Sequence, residues 1–418
     1  MWRSRKLLPA VRAERWTRPG GLALSGVLVV LLFAGCQPPK ILEPEPVRSE
    51  IHTTQTEDNW TLALHRYRSE SPDGDRLPLV LCHGFSCNAR FWDLTPELSL
   101  ARHLARRGFD VWVPDLRGSG HSTKPGLVQI RRLIRPTIPE LPQRVDLNAL
   151  DLSKANWTMD DYIERDMPAI LDYVTAHTGY KRVVWVGHSM GGTIALGRMG
   201  RWGEPRIGAF VGLATSVTMP QPPNNVLKAV GEGGLSLKLS SLIVGHSVAS
   251  SFAGRAGVYL ADTLMYNRDN ISDEAIQQIY FNVMEDVPPG VLEQQMEAIN
   301  TGHYLSADGQ FDYAEHLTRI DAPMLLMVGK LDNLCPPESS RYIYRNVTSS
   351  AIDFYEAATV NNYRANYGHF DLVLGKPAPD EIYPRLTAWL RRHAKAAPDD
   401  RATAAKPAKG RRVKEKAK

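Results

Sequence analysis

The chain lacks a long apolar run. Its conspicuous one, Gly21–Phe33, has thirteen residues, whereas a helix that crosses a bilayer needs about twenty. An ordinary apolar share of 43% argues against a multi-span membrane protein. Net positive charge is missing from the body. Residues 1–35 hold six Lys/Arg against one Glu, and residues 394–418 hold nine against three acids, so the net +5 of the whole leaves 36–393 at −6. A nucleic-acid-binding body would concentrate its positive charge on the fold. Cysteine is scarce: Cys36, Cys82, Cys87 and Cys335. No internal repeat is visible.

What is present begins with a basic n-region, Arg3 to Arg18, followed by the short apolar run and Phe33-Ala34-Gly35-Cys36. This order reads as a secretory signal. Small residues before a cysteine resemble the bacterial lipobox, which implies cleavage after residue 35 and lipidation of Cys36. Gln37, rather than Asp, then favours the outer membrane. Residues 36–50 are Pro- and Glu-rich and read as a stiff tether. Residues 394–418 read as a basic disordered tail. Of the three remaining cysteines, Cys87 and Cys335 fall in loops expected to lie near each other and are the candidate pair, although sequence cannot settle connectivity.

Between the ends, short apolar runs alternate with helical patterns. Leu79–Cys82, Asp110–Val113, Val183–Val186, Ala209–Leu213, Met324–Val328 and Ile352–Tyr355 suit parallel strands covered on both faces. Thr158 and Asp161 have capping-box spacing, and Ile163, Met167, Ile170, Leu171 and Val174 follow at helical intervals. The alternation predicts an α/β fold with a mostly parallel sheet. Residues 51–214 form the first part of its core and 320–393 the second. Thr123–Ala155 reads as a polar excursion. Residues 215–319 lack a βα repeat and read as a helical cap over the strand ends.

Gly187-His188-Ser189-Met190-Gly191-Gly192 sits between a predicted strand and a predicted helix. In that context G-x-S-x-G is a nucleophile elbow, with glycines where side chains would collide. Ser189 is therefore the candidate nucleophile. Acyl transfer also needs two N–H donors for the developing oxyanion. Met190 N–H is one candidate. Phe85 N–H, in the His83-Gly84-Phe85 loop after a strand, is the other, with His83 as a prop for that loop. A serine needs a base, and the base an orienting acid, in the chain order Ser, acid, His. Leu213–Met219 contains no acid, and Asp332 follows the strand at 324–328. After Asp332 come only His369 and His393, and His393 lies at the end of the last helix. Asp332 and His369 complete the candidate triad. Asp115–Ser122 is expected to form a structured turn near the site with no direct catalytic role.

These residues resemble the α/β-hydrolase superfamily, and within it the acid lipases of the gastric and lysosomal type. Ser99–Trp112, Asp161–Gly192 and Gly368–Tyr383 carry the closer match. The resemblance implies the triad Ser189, Asp332 and His369, a cap acting as a lid, and fatty-acid esters as substrates. Met190 stands where that family usually has Gln, and the turn at 115–122 is nearer to general esterases. The expected function is carboxylic ester hydrolysis of a lipid or small-molecule ester, with no cofactor or metal and with membrane attachment through Cys36. Thioesterase, amidase and acyltransferase chemistry would use the same residues. Two other readings stay open: a non-catalytic envelope binding lipoprotein, and an anchored protein that works through its basic tail.

Overall fold

The computed structural model describes residues 49–68, 75–124, 154, 156–221 and 262–401. The signal-like segment, Cys36, most of the tether, most of the polar excursion, residues 222–261 of the cap segment and residues 402–418 lie outside the described residues.

The described residues form eight strands: β1 Ser49–Gln55, β2 Thr61–Tyr67, β3 Leu79–Cys82, β4 Val111–Pro114, β5 Val183–His188, β6 Ile207–Leu213, β7 Met324–Gly329 and β8 Ile352–Ala357. They form one sheet in the order β1-β2-β4-β3-β5-β6-β7-β8. The β1–β2 and β2–β4 pairs are antiparallel, and the other pairs are parallel. The central strands are apolar at nearly every position because both faces are covered. Alternate residues of β3 show it. Leu79 and Leu81 enter one core with Val111 and Val113, while Val80 and Cys82 enter the other with Trp112 and Trp185.

Helices fill both faces. Leu100–Ala105 (α1) and, at the far end of the chain, Ala378–His393 pack on the Leu79 side. Met167–Thr178 (α2) and Met190–Trp202 (α3) pack on the Val80 side. Ser99 caps α1 by accepting the Arg102 N–H at 3.1 Å. The expected capping box is formed, with Thr158 N–H donating to Asp161 at 2.8 Å. The stripe from Ile163 to Val174 is fully buried. At about 1.5–3 kcal/mol for each large apolar side chain, this stripe is a main reason α2 stays on the sheet. In the cap segment the longest described helix is Pro289–Thr301 (α4).

Three expectations need correction. Ser49 and Glu50, read as tether, belong to β1, whose polar and largely exposed residues hide its strand character. Ala394–Arg401, read as tail, lies on the body: Ala394 C=O accepts Leu77 N–H at 2.8 Å, and Asp400 accepts a guanidinium N–H of Arg182 at 2.8 Å. Cys82, Cys87 and Cys335 are all free and buried, so the Cys87–Cys335 pair is not formed. Cys87 packs among core residues such as Phe91 and Trp92, and Cys335 sits beside Ser189.

Candidate active site

Ser189 occupies the turn from β5 into α3 with φ 52° and ψ −124°. A residue with a Cβ pays for this left-handed φ, so the surroundings must impose it. They do so through close packing. A Cβ at Gly187 would overlap the backbone of Gly191 and Gly192, one at Gly191 the carbonyl oxygens of Cys82 and His83, and one at Gly192 the side chain of Thr215. The three glycines therefore answer three separate approaches. Ser189 N–H donates to Leu213 C=O at 2.9 Å, which fixes the turn against β6.

Asp332 and His369 lie in the loops that follow the neighbouring strands β7 and β8. His369 Nδ1 lies 2.8 Å from Asp332 Oδ2, and both side chains are almost fully buried. Asp332 Oδ1 accepts Leu334 N–H at 2.9 Å and Cys335 N–H at 2.7 Å. The carboxylate is thus aimed by its own loop. With Nδ1–H donating to it, the imidazole keeps its lone pair on Nε2. The two loops are also joined, since Leu331 N–H donates to Tyr367 C=O at 2.7 Å. Asp371 accepts Gly368 N–H at 2.9 Å and, from the cap segment, Asn267 N–H at 3.0 Å and Asn270 Nδ2 at 2.7 Å.

The Cys335 thiol lies near the Ser189 side chain. Burial, and then the nearby Asp332 charge, push this thiol well above its usual range. It stays protonated and does not compete as a nucleophile.

The His83-Gly84-Phe85 loop lies against the serine. A Cβ at Gly84 would come within 3.0 Å of Ser189 Cβ, and Phe85 and Met190 line one small cavity with His83, Ser119 and Val291. His83 Nε2 accepts Leu116 N–H at 3.2 Å, so its Nδ1–H donates to Gly84 C=O at 3.0 Å. The ring ties this loop to the turn at 115–122, which is indeed structured. Asp115 in that turn accepts Ala89 N–H at 2.7 Å and His121 N–H at 2.8 Å. Arg117, 1% exposed, donates to Asp166 and Asp58 and lies over Trp60. His65, Asp115 and His121 could offer three metal-ligand atoms within 4.8 Å of one another. Asp115 already serves two amides and His65, however, so a metal would have to displace those donors.

His188, one residue before the serine, approaches His369 C=O through Nε2 at 3.1 Å and stacks near Phe91. No sequence signal marked this contact. Burial holds His188 well below the usual imidazole range, and holds His83 below it too. His103 is brought down to about 4, first by burial and then by Arg107. His52, His177 and His393 are lowered as well, chiefly by burial. Each of these groups binds its proton more readily in the unfolded chain. Their stability contribution is complete above about pH 6.5 and is lost as pH falls below it. Asp166, Glu164 and Asp371, raised by burial, and His121, raised by Asp115, pull the other way in smaller number. The thermal midpoint is therefore expected to drop as pH is lowered from about 6.5 to 5. A midpoint that holds or rises over that interval in a calorimetric series would contradict this.

Comparison with known proteins agrees with the fold. A family model described as alpha/beta hydrolase fold matches residues 78–231. The chain is 24% identical to lipase lipl-1 of Caenorhabditis elegans over 82% of this chain and 88% of that protein. It is 23% identical to human lipase member K, with 82% and 88% covered. Among solved structures, a thermophilic esterase from Thermogutta terrifontis superposes with a TM-score of 0.53 at 19% identity, covering 83% of this chain and all of that one. A bacterial membrane phospholipase A superposes with a TM-score of 0.52 at 18% identity, covering 89% and 95%.

Proposed function

We propose that this chain, an α/β hydrolase similar to lipases, cleaves carboxylic esters through Ser189, His369 and Asp332. Ser189 Oγ attacks the ester carbonyl while His369 Nε2 takes its proton. Asp332 holds the imidazole in the required tautomer and stabilises its charged form. The N–H groups of Phe85 and Met190 receive the oxyanion, each contributing on the order of 3 kcal/mol. His369 then protonates the departing alkoxide. Water, activated by the same histidine, releases the acid from the acyl-enzyme.

The observation that carries this reading is the 2.8 Å Asp332–His369 bond, with a serine held at φ 52° one residue after His188, whose ring lies 4.7 Å from that of His369. Strain at a serine that packing must impose, one residue after a histidine that touches the buried His369, suits a nucleophile better than a structural turn. The lipase names of the sequence relatives support an ester of a fatty acid as the substrate class.

The test is hydrolysis of p-nitrophenyl esters from acetate to palmitate by purified protein, with fluorophosphonate labelling in parallel. Turnover with an optimum at medium or long acyl chains is the expected result. Labelling without ester turnover would move the chemistry to amides, thioesters or transfer. Folded protein that neither labels nor hydrolyses would refute the proposal.

A further inference from the structure

The cap segment sends one residue into the loop assigned above to the oxyanion. Phe85 is followed by Ser86, whose φ of 56° is again left-handed. Such a backbone persists only where its neighbours hold it. Glu285 supplies the hold. Its N–H donates to Ser86 C=O at 2.9 Å, and its own C=O accepts the Ser86 hydroxyl at 2.7 Å. Both bonds to Ser86 use the Glu285 backbone, and the Glu285 carboxylate anchors that backbone to its other neighbours. Oε1 accepts Asn88 Nδ2 and Gly120 N–H, each at 2.9 Å, and Oε2 pairs with Lys124 Nζ at 2.6 Å. Asn88 Nδ2 also donates to Asn282 C=O in the cap segment at 2.9 Å. The Glu285 and Lys124 side chains are 13% and 5% exposed, so water competes weakly for these bonds.

From this junction we infer that Glu285 is a positioning residue for the oxyanion hole and makes catalytic competence depend on the seating of the cap. The inference rests on the ester-hydrolase reading. The mechanical reason lies in what can move. The turn Ala89–Trp92 behind Ser86 is packed into the core. If Ser86 relaxes to negative φ, the rotation is therefore taken up in front of it, by the peptide planes at Phe85. The Phe85 N–H then leaves its aim, while the triad on the other side of Ser189 is untouched.

A brace that matters only for folding or for substrate seating would change stability or KM. A brace for the oxyanion changes kcat, because the lost interaction exists mainly in the transition state. Two near-isosteric variants separate the roles. Glu285→Gln keeps an oxygen for Gly120 and Asn88; Glu285→Met keeps the length and removes the acceptor. On the p-nitrophenyl ester that wild type turns over best, Glu285→Met is expected to lose about 10- to 100-fold in kcat with KM within about threefold. Glu285→Gln is expected to recover at least about a third of the wild-type kcat. A folded Glu285→Met with wild-type kcat, or a loss confined to KM, overturns the inference. Should both variants unfold, Ser86→Ala removes one loop-to-cap bond and leaves the carboxylate in place. It is expected to lower kcat about 3- to 10-fold at constant KM, and an unchanged kcat overturns the inference. Wild type without ester turnover would instead sink the underlying reading, and this inference with it.

Discussion

Ser189→Ala is expected to lower kcat/KM for the preferred p-nitrophenyl ester by about 10⁵-fold or more and to abolish fluorophosphonate labelling. The change removes one oxygen and nothing that builds the turn. The close approaches at Gly187, Gly191 and Gly192 involve backbone and Thr215, and the Ser189 N–H bond to Leu213 is also backbone. Alanine inherits the same φ of 52° and the same strain, so folding and thermal midpoint should stay close to wild type. Ser189→Gly is a stronger companion. It loses the same activity but relieves the left-handed backbone, and should gain on the order of 1 kcal/mol in stability. Opposite signs for activity and stability at one position are the signature of strain kept for function. A loss below tenfold for Ser189→Ala in folded protein would remove Ser189 as the nucleophile.

Asp332→Asn is expected to lower kcat by about 10⁴-fold with KM little changed. The reason is the tautomer. The asparagine oxygen can still accept the Leu334 and Cys335 amides that Oδ1 accepts now, so the loop keeps its shape. Its amide nitrogen then faces His369 Nδ1, where the carboxylate oxygen stands at 2.8 Å. The imidazole must turn that nitrogen into an acceptor and carry its proton on Nε2, where the base needs a lone pair. Asp332→Ala would be a poorer test. It strands two buried amides at a cost of about 1–3 kcal/mol each and confounds catalysis with folding. Steady-state kinetics of Asp332→Asn, with unfolding midpoints beside them, decide the matter. A loss of only a few fold would show that the acid is supplied elsewhere.

The parts that were legible in the sequence share one property: their evidence is local. A strand buried on both faces must be apolar at consecutive positions, so β3, β5 and β7 announce themselves. The elbow needs glycines within two and three residues of Ser189. Position just past β7 then singled out Asp332, and elimination left His369, because only two histidines follow it. Strand β1 was missed for the converse reason. β1 is Ser-Glu-Ile-His-Thr-Thr-Gln, polar and mostly exposed, and only its seven-residue register with β2 makes it a strand.

Local patterning by itself therefore determined the sheet's central strands, the stripe that seats α2, and the residue types available for the triad, because periodicity and steric demand act between near neighbours. Tertiary structure alone decided which polar groups meet. Arg117 takes Asp58 and Asp166, 59 and 49 residues away. His188 reaches the carbonyl of His369 across 181 residues. Glu285 clasps Ser86 across 199. Nor could spacing tell that Cys87 and Cys335 would stay unpaired. A buried polar group must find a partner wherever the fold brings one within 3 Å, and the separation along the chain imposes no pattern that marks the pair beforehand.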